Sequence, residues 1–165
     1  MTDNRRSRDD FAPAPPVPVR VEHGNPAYPE PFRDPVRGLV RKRLGEAFGL
    51  TAFGTNLLEL EPGGLSSHKH WHSLQDELVF VLDGQVRLIT DAFELDLGPG
   101  DFFGFKAGVQ NGHHLKNTGT ATARLIEIGS REAGDRVIYS DIDMIWIGDG
   151  TDGRGGFFRK DGSRY

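Results

Sequence analysis

From Gly38 onward the chain is a series of short apolar runs, each closed by a turn signal, with no helical period between them. Phe53–Leu60, Glu77–Leu82, Gln85–Thr90, Ala92–Leu97, Asp101–Phe105 and Ala123–Ile128 each have the length and alternation of a β-strand. The breaks are Pro62-Gly63-Gly64, Asp83-Gly84, Gly98-Pro99-Gly100, Asn111-Gly112 and Asn117-Thr118-Gly119. These residues fix or free φ as tight turns require. Strands at this spacing predict an all-β fold, an antiparallel sandwich or barrel. Ile142–Ile147 reads as one more strand, and the glycines of Gly148–Gly156 as a loop.

The N-terminal part is different in kind. Eight of the ten prolines lie between Pro13 and Pro35. Proline fixes φ and removes a donor, so this stretch is neither a helix nor a central strand. Residues 1–35 read as a proline-rich arm, a mobile head followed by an extended, polyproline-like stretch. Plain disorder and an arm packed on a neighbour are both open. Residues 36–165 then form the one folded domain, long enough for a core that removes roughly 70% of its unfolded surface from water.

Charge and composition narrow the function. Lys and Arg number 20 and Asp and Glu 24, a formal charge of −4 that argues against a nucleic-acid partner. The absence of cysteine excludes disulfides, thiolate metal sites, iron–sulfur clusters and cysteine nucleophiles. No run approaches a signal peptide or the ~20 apolar residues of a membrane span, so the expectation is a cytoplasmic protein without a membrane partner.

Five of the six histidines gather in two places, His68, His70 and His72, then His113 and His114. The first three alternate with Lys69 and Trp71, and alternation on a strand sends all three imidazoles to one face. Glu77 follows a short turn. Imidazoles and a carboxylate on neighbouring strands make a site for a divalent metal ion, Zn, Mn, Fe, Ni or Co. The competing reading is a set of hydrogen-bonded core histidines, although three on one face would repel one another when protonated.

Gly64, His70, His72, Glu77 and Gly84 fit the pattern G-x5-H-x-H-x4-E-x6-G without a gap. This resembles the first motif of the cupin superfamily. The resemblance implies a single small antiparallel β-barrel of jelly-roll type, the double-stranded β-helix, with His70, His72 and Glu77 as metal ligands. His68 lies outside the motif and becomes a candidate to support a ligand or to touch substrate. The second cupin motif, G-x5-P-x-G-x2-H-x3-N, is matched with two departures. Gly100 and Gly108 fit, Lys106 replaces the proline, and the histidine is displaced by two residues, so that His113 and Asn117 stand in the H-x3-N relation. The fourth ligand is then His113 or His114. Parity places His113 with Leu115 and Asn117, and His114 with Lys116, which selects His113 and leaves His114 for the barrel rim.

Beyond the motifs, Gly112–Asn117, Gly134–Asp143 and Lys160–Tyr165 are similar to short single-domain bacterial cupins commonly named as candidate sugar-phosphate isomerases. That likeness implies a metal-dependent enzyme acting on a small oxygenated or anionic metabolite, in a homodimer. Three neutral imidazoles and one carboxylate leave a divalent ion with about one net positive charge and open positions that prefer oxygen donors. Such an ion can polarise a carbonyl for aldose–ketose isomerisation, with Glu77 or His68 as the base. The alternatives are a metal-dependent dioxygenase or decarboxylase, and a non-catalytic cupin that binds a small ligand. Lys106, near the expected mouth, either pairs with an anionic substrate or stands solvated. Phe102, Phe103 and Phe105 divide between core packing and pocket wall.

Overall fold

In the computed structural model, which describes residues 18–148 and 155–165, the apolar runs pair as antiparallel strands. In chain order these are β1 (Val21–His23), β2 (Leu39–Arg43), β3 (Phe53–Leu60), β4 (His70–His72) and β5 (Glu77–Asp83). There follow β6 (Val86–Thr90), β7 (Glu94–Leu97), β8 (Phe102–Phe105), β9 (His113–Asn117) and β10 (Ala123–Ser130). Last come β11 (Arg136–Tyr139), β12 (Ile145–Gly148) and β13 (Gly155–Phe158). One sheet has the order β1-β2-β3-β10-β5-β8, and the other β13-β12-β11-β4-β9-β6-β7.

Alternation decides what each strand buries. β6 turns Val86, Leu88 and Thr90 inward, and β5 buries Val79 and Val81 while Leu78, Phe80 and Leu82 face out. These meet Leu39, Leu58, Leu60, Leu97, Leu115, Ala123 and Leu125 in one core between the sheets. Full burial of such a side chain contributes about 1.5–3 kcal/mol, so this core supplies most of the driving force for closing the two sheets. A second cluster, Tyr28, Val36, Val137, Tyr139 and Met144, fills the far end of the seven-stranded sheet.

Two turns need their glycines. Gly84, the last fixed position of the first motif, has φ +87°, and a Cβ there would lie 2.7 Å from Ala123 Cα. Gly112 passes so close to Ser140 that no side chain fits, and its N–H donates to Asp91 Oδ2 at 2.6 Å. That contact sets where β9 begins. Asn117 closes the other end of β9, its buried Nδ2 donating to the carbonyls of Leu60 and Ala121, each at 2.8 Å.

The expected barrel is present, and four strands are additional: β1, β2, β11 and β13. β1 sits at a sheet edge, where the prolines around it cost no ladder bonds. Residues 1–17 of the arm lie outside the described residues. The rest of it lies on the barrel: Tyr28 is buried, and a 3-10 turn at Asp34–Val36 carries the arm into the domain. Of the glycine-rich loop, residues 149–154 lie outside the described residues, and Gly155–Gly156 are part of β13, paired with Ile147 and Gly148 of β12.

Candidate metal centre

Strand pairing brings the histidines together. His70 on β4 lies opposite His113 on β9, and Glu77, at the start of β5, reaches them from the other sheet. Glu77 Oε2 stands 3.4 Å from His113 Nε2, 3.6 Å from His72 Nε2 and 3.8 Å from His70 Nε2. His70, Glu77 and His113 offer ligand atoms all within 4.8 Å of one another, and His72 joins this group through Glu77.

The tautomers are set from behind. His70 Nδ1–H donates to the His68 carbonyl at 2.9 Å, with Ser67 Oγ at 3.1 Å. His72 Nδ1–H donates to Asp135 Oδ2 at 2.7 Å, and Asp135 Oδ1 accepts from the Leu74 N–H and the Ser73 hydroxyl. Both acceptors can only accept, so each ring carries its proton on Nδ1 and turns the Nε2 lone pair toward Glu77. His113 is held differently, stacked on Phe105 with centroids 3.4 Å apart and planes within 5°.

Electrostatics favour a cation. Burial pushes Glu77 up, but the surrounding imidazoles of His113, His70 and His72 outweigh it and hold the carboxyl below its usual range. Burial, with the charges of His113 and His72, pulls His70 down to about 3, so it is a neutral donor at physiological pH. Both ring nitrogens of His113 are buried without a hydrogen-bond partner. A buried unpaired nitrogen is costly, and a cation at Nε2 would satisfy one of them. Three imidazoles with one carboxylate are the donor set of a borderline divalent ion such as Zn, Mn, Fe or Ni.

Comparison with known proteins places this arrangement. A family model described as a Cupin domain matches residues 56–129. A solved structure from Silicibacter pomeroyi DSS-3, named a sugar phosphate isomerase from a cupin superfamily, is 38% identical. The match covers 92% of this chain and 96% of that one, with a TM-score of 0.82. The chain belongs to the cupin superfamily. A second similar structure, from Acidithiobacillus ferrooxidans ATCC 23270, is named a candidate sugar phosphate isomerase and is 31% identical. It covers 77% of this cupin and 80% of its own chain, with a TM-score of 0.68. No curated protein sequence matches the chain.

Two cavities flank the cluster of this cupin. The larger, about 620 Å³, is polar and lined by His70, His72 and Glu77 together with Tyr28, Arg41, Asn56, Glu127 and Tyr139. The smaller, about 210 Å³, is walled by Trp71, Phe93, Phe103 and Phe105 and touches His72 and His113. Phe103 and Phe105 therefore serve both core and wall, whereas Phe102 is 66% exposed.

The other expected residues stand apart from the cluster. The alternation expected over three histidines holds for His70 and His72 only, because β4 begins at His70. His68 packs among Tyr28, Phe32 and Tyr139, and its Nε2 lies 2.7 Å from the Phe32 carbonyl. It lines neither cavity and supports His70 through its backbone oxygen. With Nε2 on the Phe32 carbonyl and the ring outside both cavities, His68 stands away from where the expected base would act. His114 points to the opposite face of β9, where burial lowers its pKa. Lys106 is exposed and donates to both carboxylate oxygens of Asp76, at 2.9 and 3.0 Å, while its chain borders the smaller cavity.

Sequence reasoning missed Asp135, Arg41, Asn56 and Glu127. Arg41 continues the inward parity of Leu39, Asn56 that of Leu58 and Leu60, and Glu127 that of Leu125. A polar residue on a parity that is otherwise apolar was the available signal.

Proposed function

We propose that this cupin is a metal-dependent enzyme acting on a small, oxygen-rich anionic metabolite, and that its reaction is aldose–ketose isomerisation of a sugar phosphate. The carrying observation is the convergence of His70, His72 and His113 Nε2 on Glu77 Oε2 beside a polar cavity. The names of the two similar proteins support the choice of reaction. His70, His72, Glu77 and His113 would hold the ion, and an ion so held polarises a substrate carbonyl as a Lewis acid.

The chain's own residues would do the rest. Isomerisation needs a base that takes a proton from the hydroxyl-bearing carbon beside the carbonyl and returns it to the former carbonyl carbon. A second proton passes between the two oxygens, so no co-reactant is consumed. Glu127 suits the first role: its carboxylate faces the same cavity and is held at Oε1 by Asn56 Nδ2 at 2.7 Å. Tyr28 and Tyr139, whose hydroxyls lie 3.3 Å apart, are neutral phenols, since burial raises both pKa values. They form a hydrogen-bonding wall that carries no charge.

The test is to incubate metal-loaded protein with a panel of aldose and ketose phosphates beside an oxygen electrode. Interconversion without O₂ uptake, lost in Glu127→Gln with full metal content, is the expected result. Uptake of O₂ with any substrate would replace this reading with an oxygenase, and binding without turnover would replace it with a ligand-binding cupin.

A further inference from the structure

The inner face of the six-stranded sheet changes character along its length. Next to Leu39, Leu58, Leu60 and Leu125 stand Arg41 and Glu127, pointing the same way. Arg41 is buried, its side chain 12% exposed, yet its guanidinium is short of close hydrogen-bond partners. Its Nε has no hydrogen-bond partner. Among the described residues its one ion-pair contact is Nη2 to Glu127 Oε2 at 3.7 Å, too long for a hydrogen bond. Arg43 Nε is likewise unpartnered, but the neighbouring cations differ in their ion pairs. Arg43 pairs with Glu22 at 2.8 Å and with Glu46, and Arg20 pairs with Glu22 at 2.6 Å. Arg41 alone of the three holds its charge against the cavity without a close counter-ion.

A buried guanidinium lacking hydrogen bonds is costly, and an oxyanion removes that cost through parallel N–H···O bonds. We propose that Arg41 receives the anionic group of the metabolite, a phosphate monoester, while the oxygen atoms of the same molecule face the histidine cluster. The geometry allows one small molecule to do both. Arg41 on β2 and Glu77 on β5 are separated by β3 and β10, so their strands lie about 14 Å apart, and both side chains line the same cavity. Glu127 on β10 stands between them. Its carboxylate is the competitor that an incoming anion displaces from Arg41, and Asn56 keeps it in place after displacement.

For its substrate class this proposal rests on the isomerase reading; anion binding by Arg41 does not. The probe is inorganic phosphate, titrated by calorimetry into wild type, Arg41→Gln, Glu127→Gln and His113→Ala, with metal content and far-ultraviolet dichroism recorded for each. Arg41→Gln is expected to weaken phosphate at least tenfold with unchanged metal content. Glu127→Gln is expected to tighten it severalfold, an opposite sign that damage to the fold would not produce. Phosphate affinity unchanged in Arg41→Gln, or weakened in both variants alike, overturns the proposal. So does affinity that survives Arg41→Gln and falls in His113→Ala, which would put the anion on the metal centre. Phosphate binding that follows Arg41 without turnover of any sugar phosphate would sink the isomerase reading and leave this one standing.

Discussion

His72 Nδ1 lies 2.7 Å from Asp135 Oδ2, across 63 residues of chain. Asp135 is 1% exposed and sits at the start of the segment that leads into β11, which pairs with β4. One carboxylate thus fixes the tautomer of His72, ties down the turn after β4 through Leu74 and Ser73, and joins it to β11. Residues behind a metal ligand commonly contribute 10–100-fold to metal affinity. Asp135→Asn is expected to weaken metal retention by about that factor, read as the chelator concentration needed to strip the protein.

The same pair predicts a pH profile for the metal-free protein. For His72, burial lowers the pKa, but the hydrogen bond and charge of Asp135, with Glu77, outweigh it and leave the pKa raised above 6.5. Its contribution is full below 6.5 and is lost as pH rises through the raised folded value. For Asp135, burial raises the pKa, but His72 and the Leu74 N–H outweigh it and leave the pKa below 3.8. Its contribution is full above 3.8 and is lost as pH falls through the depressed folded value. Tm of the metal-free protein should therefore be highest between these limits and decline on both sides. Asp135→Asn should flatten both declines.

The two adjacent histidines of β9 should behave oppositely. His113 is buried against Phe105 and faces Glu77, whereas His114 faces the other way. His113→Ala is expected to lose bound metal, and His114→Ala to keep it, by elemental analysis of the two purified variants. Equal loss in both would contradict the parity argument.

Tyr28 joins the arm to the barrel. Its ring lies 5.2–5.8 Å from those of His68, Phe157 and Tyr139, and it is 3% exposed. Tyr28→Ala should cost about 3–5 kcal/mol in denaturant unfolding, the range for a buried aromatic truncation. Tyr28→Phe removes only the hydroxyl contact with Tyr139 and should cost about 1 kcal/mol.

Much of this was legible in the sequence, for physical reasons that differ by residue. Phe53–Leu60 is a strand with those same ends because its apolar positions alternate and Pro62-Gly63 breaks it. Leu115 and Lys116 reveal which way His113 and His114 point, since period two leaves no freedom within β9. β2 carries no alternating signal in the sequence because Arg41, Lys42 and Arg43 are three consecutive cations, although β2 lies against β3 and Arg41 points inward. β1 was hidden among prolines that an edge position tolerates. His68 looked like a third member of the alternating set because sequence shows parity but not where a strand begins. Asp135 was invisible for a different reason: a carboxylate 63 residues from its partner leaves no local pattern.

The central claim is that His70, His72, Glu77 and His113 hold a divalent ion, and elemental analysis tests it most directly. Wild-type protein, loaded with divalent metal and dialysed exhaustively, should retain about one ion per chain, as one mononuclear site of four convergent ligands requires. Glu77→Gln and His113→Ala, folded by circular dichroism, should retain almost none. Wild-type protein that keeps no metal, or a Glu77→Gln protein that keeps its full complement, would contradict the account.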